Sequence, residues 1–260
     1  MKIVTISDVH IKESNDLSDK LLMKFFRHPD VQSAQVIIFL GDIFDLMIGP
    51  MSQYFTRFPH FFSELENAIA SGKTIYFVEG NHDFHLKLLF RQFFKIKNQL
   101  NAEKFNLMNE VILTDQVKIY FSHGDDVEIE NLPYKLFKRF VTSAPVTFFA
   151  NYLMPHFFIK NIGESSARAS RKRNNKRYSS VSDLAPIKEK FRKSYEVFHK
   201  KMKERDLGMD LYVGGHSHVK DYYKSSAGFA YINNGYAPHS QSFILIENGE
   251  ASFIQLDSSP

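Results

Sequence analysis

Along the chain, short runs of β-branched and other apolar residues end repeatedly in polar clusters. Residues 2–7 run into Asp8, 36–40 into Gly41-Asp42, and 74–79 into Gly80-Asn81-His82-Asp83. Runs of this length, closed by turn-forming residues, predict buried strands. Between the second and third, residues 53–71 carry helix-compatible apolar spacing, and Gly72 follows as a stop. The alternation predicts βαβ crossovers. In such sheets ligands gather beyond the carboxyl ends of the strands, where these clusters fall. Further strands are predicted at 117–122, 211–214, 229–233, 242–247 and 252–256, the last three reading as an antiparallel tail. Residues 127–205 carry no strand signal; they read as long, Phe-rich and basic helical stretches inserted between two core strands.

A chain of 260 residues can bury one large core. The expectation is one domain over residues 1–260, with 127–205 as a helical insertion that caps it. With no cysteine there are no disulfides, thiolate nucleophiles or cysteine zinc sites, which fits a reducing compartment such as the cytoplasm. The apolar run at the N-terminus is too short for a signal peptide and ends in Asp8. The net charge of +4 is unevenly spread: residues 160–205 hold 15 Lys/Arg against 5 Asp/Glu, leaving the rest of the chain at −6. A mildly acidic body with a basic segment suggests an anionic ligand. Residues 141–159 lack charge over nearly a membrane-spanning length, yet Pro145, Pro155 and several polar groups make a span costly. A lipid-facing surface or an ordinary core helix suits them better.

The strand ends carry the chemistry. They read Asp8-Val9-His10, Gly41-Asp42-Ile43-Phe44-Asp45, Gly80-Asn81-His82-Asp83, Ser122-His123-Gly124-Asp125 and Gly215-His216-Ser217-His218. One such cluster alone is more often a turn or a cap. Five together offer carboxylates, imidazoles and an amide oxygen, a set suited to a borderline divalent ion such as Mn, Fe or Zn. Two ions a few Å apart can activate water and clamp phosphoryl oxygens. Asp45 and Asp125 are either acceptors that fix a ligand imidazole or plain loop carboxylates. His28, His60, His85, His156, His199 and His239 fall outside the pattern, with His85 set apart by its closeness to His82.

The order D-x-H, G-D-x-x-D, G-N-H-D, H-G-D and G-H-x-H resembles the calcineurin-like metallophosphoesterases, from Asp8 to His218. The resemblance implies a four-layer α/β/β/α sandwich. It also implies one metal on Asp8, His10, Asp42 and His218, and a second on Asp42, Asn81, His123 and His216, with Asp42 as the bridge. By the same resemblance His82 sits over the substrate as general acid or charge stabiliser, oriented by Asp83, and Asn81 shares in the catalytic cluster.

Within the basic segment, Ser170, Asn174 and Arg177 stand at i, i+4 and i+7, with Arg173 beside them. On a helix they share a face and could meet one diphosphate. Phe137, Phe140, Phe148, Phe149, Phe157 and Phe158 supply an apolar neighbour. Together with Asn131-Leu132-Pro133-Tyr134-Lys135-Leu136-Phe137 and Gly-His-Ser-His, this is similar to the UDP-2,3-diacylglucosamine pyrophosphatase branch of the lipid A pathway. That branch implies a lipid-linked UDP-sugar substrate, cleavage to UMP and 2,3-diacylglucosamine 1-phosphate, and a peripheral place at the cytoplasmic face of the inner membrane. No protein partner is implied. Its best-known members carry Arg where this chain has His82, and other residues at Asn233-Asn234-Gly235-Tyr236. A proton donor at position 82 also suits an alkoxide leaving group. A general phosphodiesterase or nuclease, using the basic cluster on a nucleic-acid backbone, is therefore the second reading.

Overall fold

The computed structural model describes residues 1–97, 102–125, 127, 143, 146 and 184–256. Strand β1 (Lys2–Ile6) leads to helix α1 (Leu17–Arg27), whose first turn is capped by the Asp16 carboxylate accepting the Asp19 N–H at 2.7 Å. Pro29 holds His28 extended, ending α1, and the short helix α2 (Pro29–Ser33) delivers the chain to β2 (Val36–Leu40). The helix predicted over 53–71 is two helices, α3 (Gln53–Arg57) and α4 (Pro59–Ala70), after the short strand β3 (Met47–Ile48). The break has a simple cause: Pro59 has no N–H to continue the ladder and pushes Phe58 out of helical conformation. Gly72 closes α4 with a left-handed φ of +89°. Next come β4 (Thr74–Val78), β5 (Asp83–Phe84), α5 (Lys87–Lys97), β6 (Phe105–Met108), β7 (Glu110–Thr114) and β8 (Lys118–Ser122). After the break in the described chain follow α6 (Ala185–Lys203), β9 (Leu211–Gly214), β10 (Lys220–Lys224), β11 (Ala230–Asn234), α7 (Ala237–Ser240), β12 (Ser242–Glu247) and β13 (Glu250–Gln255).

Two sheets face each other. One has the order β13-β12-β1-β2-β4-β6, the other β10-β11-β9-β8-β7. β1, β2, β4 and β6 run parallel, as do β8, β9 and β11. The expected antiparallel tail is only half right. β12 and β13 pair antiparallel, but β11 lies in the other sheet, parallel to β9 and antiparallel to the unpredicted β10.

Strand alternation builds the layers. In β2, Val36, Ile38 and Leu40 point between the sheets, where they meet Ile119 and Phe121 of β8 and Leu211 and Val213 of β9. Ile37 and Phe39 point outward to Phe25 of α1 and Phe61 of α4. On the far side Tyr120, Tyr212 and Tyr231 pack under Phe191, Tyr195 and Met202 of α6. The result is the four-layer α/β/β/α arrangement. Of the insertion expected at 127–205, α6 is described; Ser170, Arg173, Asn174, Arg177 and the aromatic residues from Phe137 to Phe158 lie outside the described residues. Among the described residues no helix is long and apolar enough to cross a membrane.

Candidate metal centre

The carboxyl ends of β1, β2, β4, β8 and β9 deliver the five polar clusters to one edge of the sandwich. Local backbone makes the delivery possible. Asp8, His10, Asp42, His216 and His218 all have left-handed backbone, with φ between 52° and 65°. Such non-glycine positions cost about 1–3 kcal/mol each unless the surroundings enforce them. Here neighbouring loops do so: Asp8 N–H donates to Gly41 O at 3.2 Å, His10 N–H to Asp42 O at 3.0 Å, and Gly215 N–H to His123 O at 2.9 Å. Gly80 and Gly215 are needed for close approach. A Cβ on Gly80 would lie 2.4 Å from Asp42 Oδ1, and one on Gly215 would lie 2.6 Å from Asp8 Oδ2.

Two groups of donor atoms result. In the first, His10 Nε2 and His218 Nε2 face each other at 3.3 Å, with Asp8 Oδ1 3.3 Å from His218 Nε2. Asp42 joins them, and the ligand atoms of Asp8, His10, Asp42 and His218 all lie within 4.8 Å of one another. In the second, Asn81 Oδ1 is 3.0 Å from His123 Nε2 and 3.1 Å from His216 Nδ1. Asp42 Oδ2 stands between the groups, 3.8 Å from His10 Nε2 and 3.6 Å from His123 Nε2. Its other oxygen accepts the His82 backbone N–H at 2.9 Å, which fixes the carboxylate plane.

These spacings suit metal ligation, since donors bound at about 2.1 Å to one ion sit about 3–3.5 Å apart. The proton inventory agrees. His123 Nδ1 lies 2.8 Å from the Leu40 carbonyl, a partner only an N–H can bond. Its Nε2 is thereby turned toward Asn81 Oδ1 and Asp42 Oδ2, the edge an imidazole offers to a cation.

Burial and charge set the protonation states. Burial pulls His10 down to about 3, with His82 and His218 adding to the effect against the pull of Asp42 and Asp8, so the imidazole is neutral. Burial alone would raise Asp42, but His123, His82, His10 and the His82 N–H together hold it well below the ordinary carboxylate range. Asp8 is likewise held low by His218 and His123 against its burial. Neutral imidazoles and charged carboxylates are the ligating forms.

His82 is buried beside His10, with ring centroids 4.9 Å apart. Its Nδ1 donates to the Asp45 carbonyl at 2.8 Å. Asp83, expected to orient His82, also holds backbone in place. Its carboxylate accepts the N–H groups of Asp42 and Gly80 at 2.9 Å, Ile43 at 2.7 Å and Phe44 at 3.3 Å, binding the β2 loop to the β4 loop. Burial and the nearby Asp42 push Asp83 up, while those N–H donors oppose the shift. Asp45 brings its Oδ1 within 4.0 Å of His10 Nδ1, and His10, Asp45 and His82 form a further close group. Asp125 is buried. His28 caps α2, His60 pairs with Asp19 and His199 stacks on Phe229.

Sequence reasoning singled out Asn233-Asn234-Gly235-Tyr236 only as a place of difference. Asn233 and Asn234 are fully buried braces: Asn233 Nδ2 donates to Gly215 O at 2.6 Å, and Asn234 Oδ1 accepts from Ser7 Oγ at 3.0 Å. Tyr236 packs on the imidazoles of His218 and His10. The available signal was an aromatic residue after a strand rich in buried amides, which spacing alone does not distinguish from a loop.

The family model for Calcineurin-like phosphoesterase matches residues 1–220. Among curated relatives, the UDP-2,3-diacylglucosamine hydrolase of Haemophilus influenzae is 26% identical over 255 residues, covering 96% of this chain and 97% of the relative. That of Photobacterium profundum is 25% identical over 191 residues, covering 72% of each. The hydrolase of Wigglesworthia glossinidia brevipalpis is 28% identical over 144 residues, 54% of this chain, so the chain spans about half (53%) of that relative's length. Since the family match runs through all five strand-end clusters, and the two sheets bring those clusters to a common edge, the chain belongs to the calcineurin-like phosphoesterases and is a metal-dependent hydrolase.

Proposed function

We propose that the chain hydrolyses the diphosphate of UDP-2,3-diacylglucosamine, releasing UMP and 2,3-diacylglucosamine 1-phosphate, with two divalent cations. One is assigned to Asp8, His10, Asp42 and His218, the other to Asp42, Asn81, His123 and His216. The observation that carries this reading is the place of Asp42 Oδ2, 3.8 Å from His10 Nε2 and 3.6 Å from His123 Nε2. One carboxylate facing two donor groups is what a two-ion phosphoesterase needs. The substrate is argued from relatives named for that hydrolysis, of which the Haemophilus protein aligns along 97% of its length. The basic segment beside aromatic residues supports an anionic head joined to an apolar tail. Mn is the proposed ion; Fe and Zn suit the same ligands.

Held by these residues, divalent cations would supply polarisation of the phosphoryl oxygens and a lowered pKa for water. The chain's own groups do the rest. His123, with Nδ1 engaged by the Leu40 carbonyl, keeps Nε2 directed inward, and Asp42 keeps its charge between the groups. His82, with Nδ1 engaged by the Asp45 carbonyl, offers its other edge to the departing oxygen as charge stabiliser or proton donor. We assign residues 127–205 to a cap in which Ser170, Arg173, Asn174 and Arg177 grip the diphosphate and the phenylalanines take the acyl chains. The cap would hold the enzyme peripherally on the cytoplasmic face of the inner membrane.

Incubation of the purified chain with Mn and UDP-2,3-diacylglucosamine is expected to release UMP. No UMP, together with rapid hydrolysis of simple phosphodiesters, would transfer the reading to a general phosphodiesterase or nuclease, which His82 and the basic segment also suit. That alternative predicts nucleic-acid affinity that falls steeply with salt.

A further inference from the structure

The first donor group is braced by the turn between β11 and α7. Gly235, at φ +72°, reverses the chain there, and its N–H donates to the buried Asn233 side chain at 2.7 Å. The next two residues reach both loops that carry first-group ligands. Tyr236 N–H donates to His218 O at 3.2 Å, and Ala237 N–H to Asp8 O at 3.1 Å. The Tyr236 ring lies nearly parallel to the His218 imidazole, at 5.3 Å and 20°, and tilts against His10 at 5.8 Å and 52°. His239 packs against the same ring, edge to face at 4.8 Å.

His218 is the member of this group that most needs a wall. Its side chain is 14% exposed, against 8% for His10, 2% for Asp42 and 0% for Asp8. An imidazole at a rim can turn about its side-chain bonds, and a flat aromatic neighbour removes that freedom. In the second group His123 and His216 pack on one another, edge to face at 5.2 Å.

We infer that Tyr236 is a positioning residue for one of the two cations: its ring holds His218 and His10 with their Nε2 atoms converged, while the other cation is sustained without it. The inference rests on the two-cation reading above. It makes the two sites unequal in a way that one side chain controls.

The test is calorimetric titration of Mn into the metal-free full chain, with bound metal counted after gel filtration and folding checked by circular dichroism. Tyr236→Leu is expected to weaken one Mn by about 10- to 100-fold and leave the other unchanged. The spin-coupled two-Mn resonance should give way to that of isolated Mn. Tyr236→Phe, which keeps the ring, is expected to stay near the unaltered chain. Should the Leu variant not fold, Tyr236→Met removes the ring with a more adaptable side chain. A folded Leu or Met variant that holds both ions as tightly as the unaltered chain overturns the inference. So does a Phe variant as impaired as Leu, since the hydroxyl and not the ring would then matter. An unaltered chain that binds no Mn sinks the two-cation reading itself, a different result from two ions held equally in all variants.

Discussion

His82 and His10 touch edge to face, yet the proposed chemistry asks opposite things of them. His10 must hold an ion; His82 must serve the leaving group. His82→Ala is therefore expected to lower kcat by about 10²- to 10⁴-fold with metal content intact, measured by steady-state kinetics and elemental analysis on one preparation. Loss of metal from that variant would show that His82 is a ligand. His10 carries a separate pH signature. Unfolded, its imidazole protonates as pH falls through 6.5; folded, it resists until about 3. Across that window the unfolded chain binds more protons, so acidification favours unfolding. Asp8 and Asp42 act lower, giving stability that is present above the ordinary carboxylate value of 3.8 and lost beneath it. Metal-free protein should thus have a lower urea midpoint at about pH 5 than at about pH 7.5, and His10→Gln should narrow the gap. An unchanged gap would assign the effect to other histidines.

Among the elements, the loops after β2 and β4 act as one unit because Asp83 stitches them. Four backbone N–H groups of Gly80, Asp42, Ile43 and Phe44 end on its carboxylate. Removing that acceptor strands buried donors at about 1–3 kcal/mol each, which outweighs the relief of a charge crowded by Asp42. Asp83→Ala is expected to cost at least about 3 kcal/mol in denaturant unfolding of metal-free protein. A variant as stable as the unaltered chain would return Asp83 to a purely chemical role. The strand-end position of these loops was legible from the apolar runs that precede them. That Asp83 would also brace the backbone of the β2 loop was not, because hydrogen bonds over a separation of about 40 residues leave no local pattern.

At the scale of the molecule, charge and fold are segregated. The parallel strands end in the proposed metal ligands, while the basic surplus of +10 lies in residues 160–205. If the reaction class resides in the first and the substrate choice in the second, the two should separate by mutation. Arg177→Ala is expected to raise KM for UDP-2,3-diacylglucosamine by about 10- to 100-fold, the weight of one charge-assisted contact, and to leave hydrolysis of a small phosphodiester unchanged. Equal losses on both substrates would place Arg177 in the common machinery. Helix α6 is firmly tied to the core: its Arg192 forms a two-pronged bond to the buried Asp221, at 2.7 and 2.8 Å, where β10 pairs with β11.

Local sequence determined a good deal of this protein. Apolar runs closed by Gly-Asp, Gly-Asn-His and Gly-His-Ser-His defined strands whose ends carry ligand chemistry, because strand periodicity and turn preference are properties of neighbouring residues. Weaker local signals misled: Pro59 divides one expected helix into two, and β11 joins β9 instead of β12. Tertiary structure alone decided which strand pairs with which, that Asp42 Oδ2 lies between two donor groups, and that Tyr236 leans on His218. The physical reason is common to all three. Each depends on how strands and sheets assemble, and assembly joins residues, some more than two hundred positions apart, whose spacing along the chain carries no trace of their meeting.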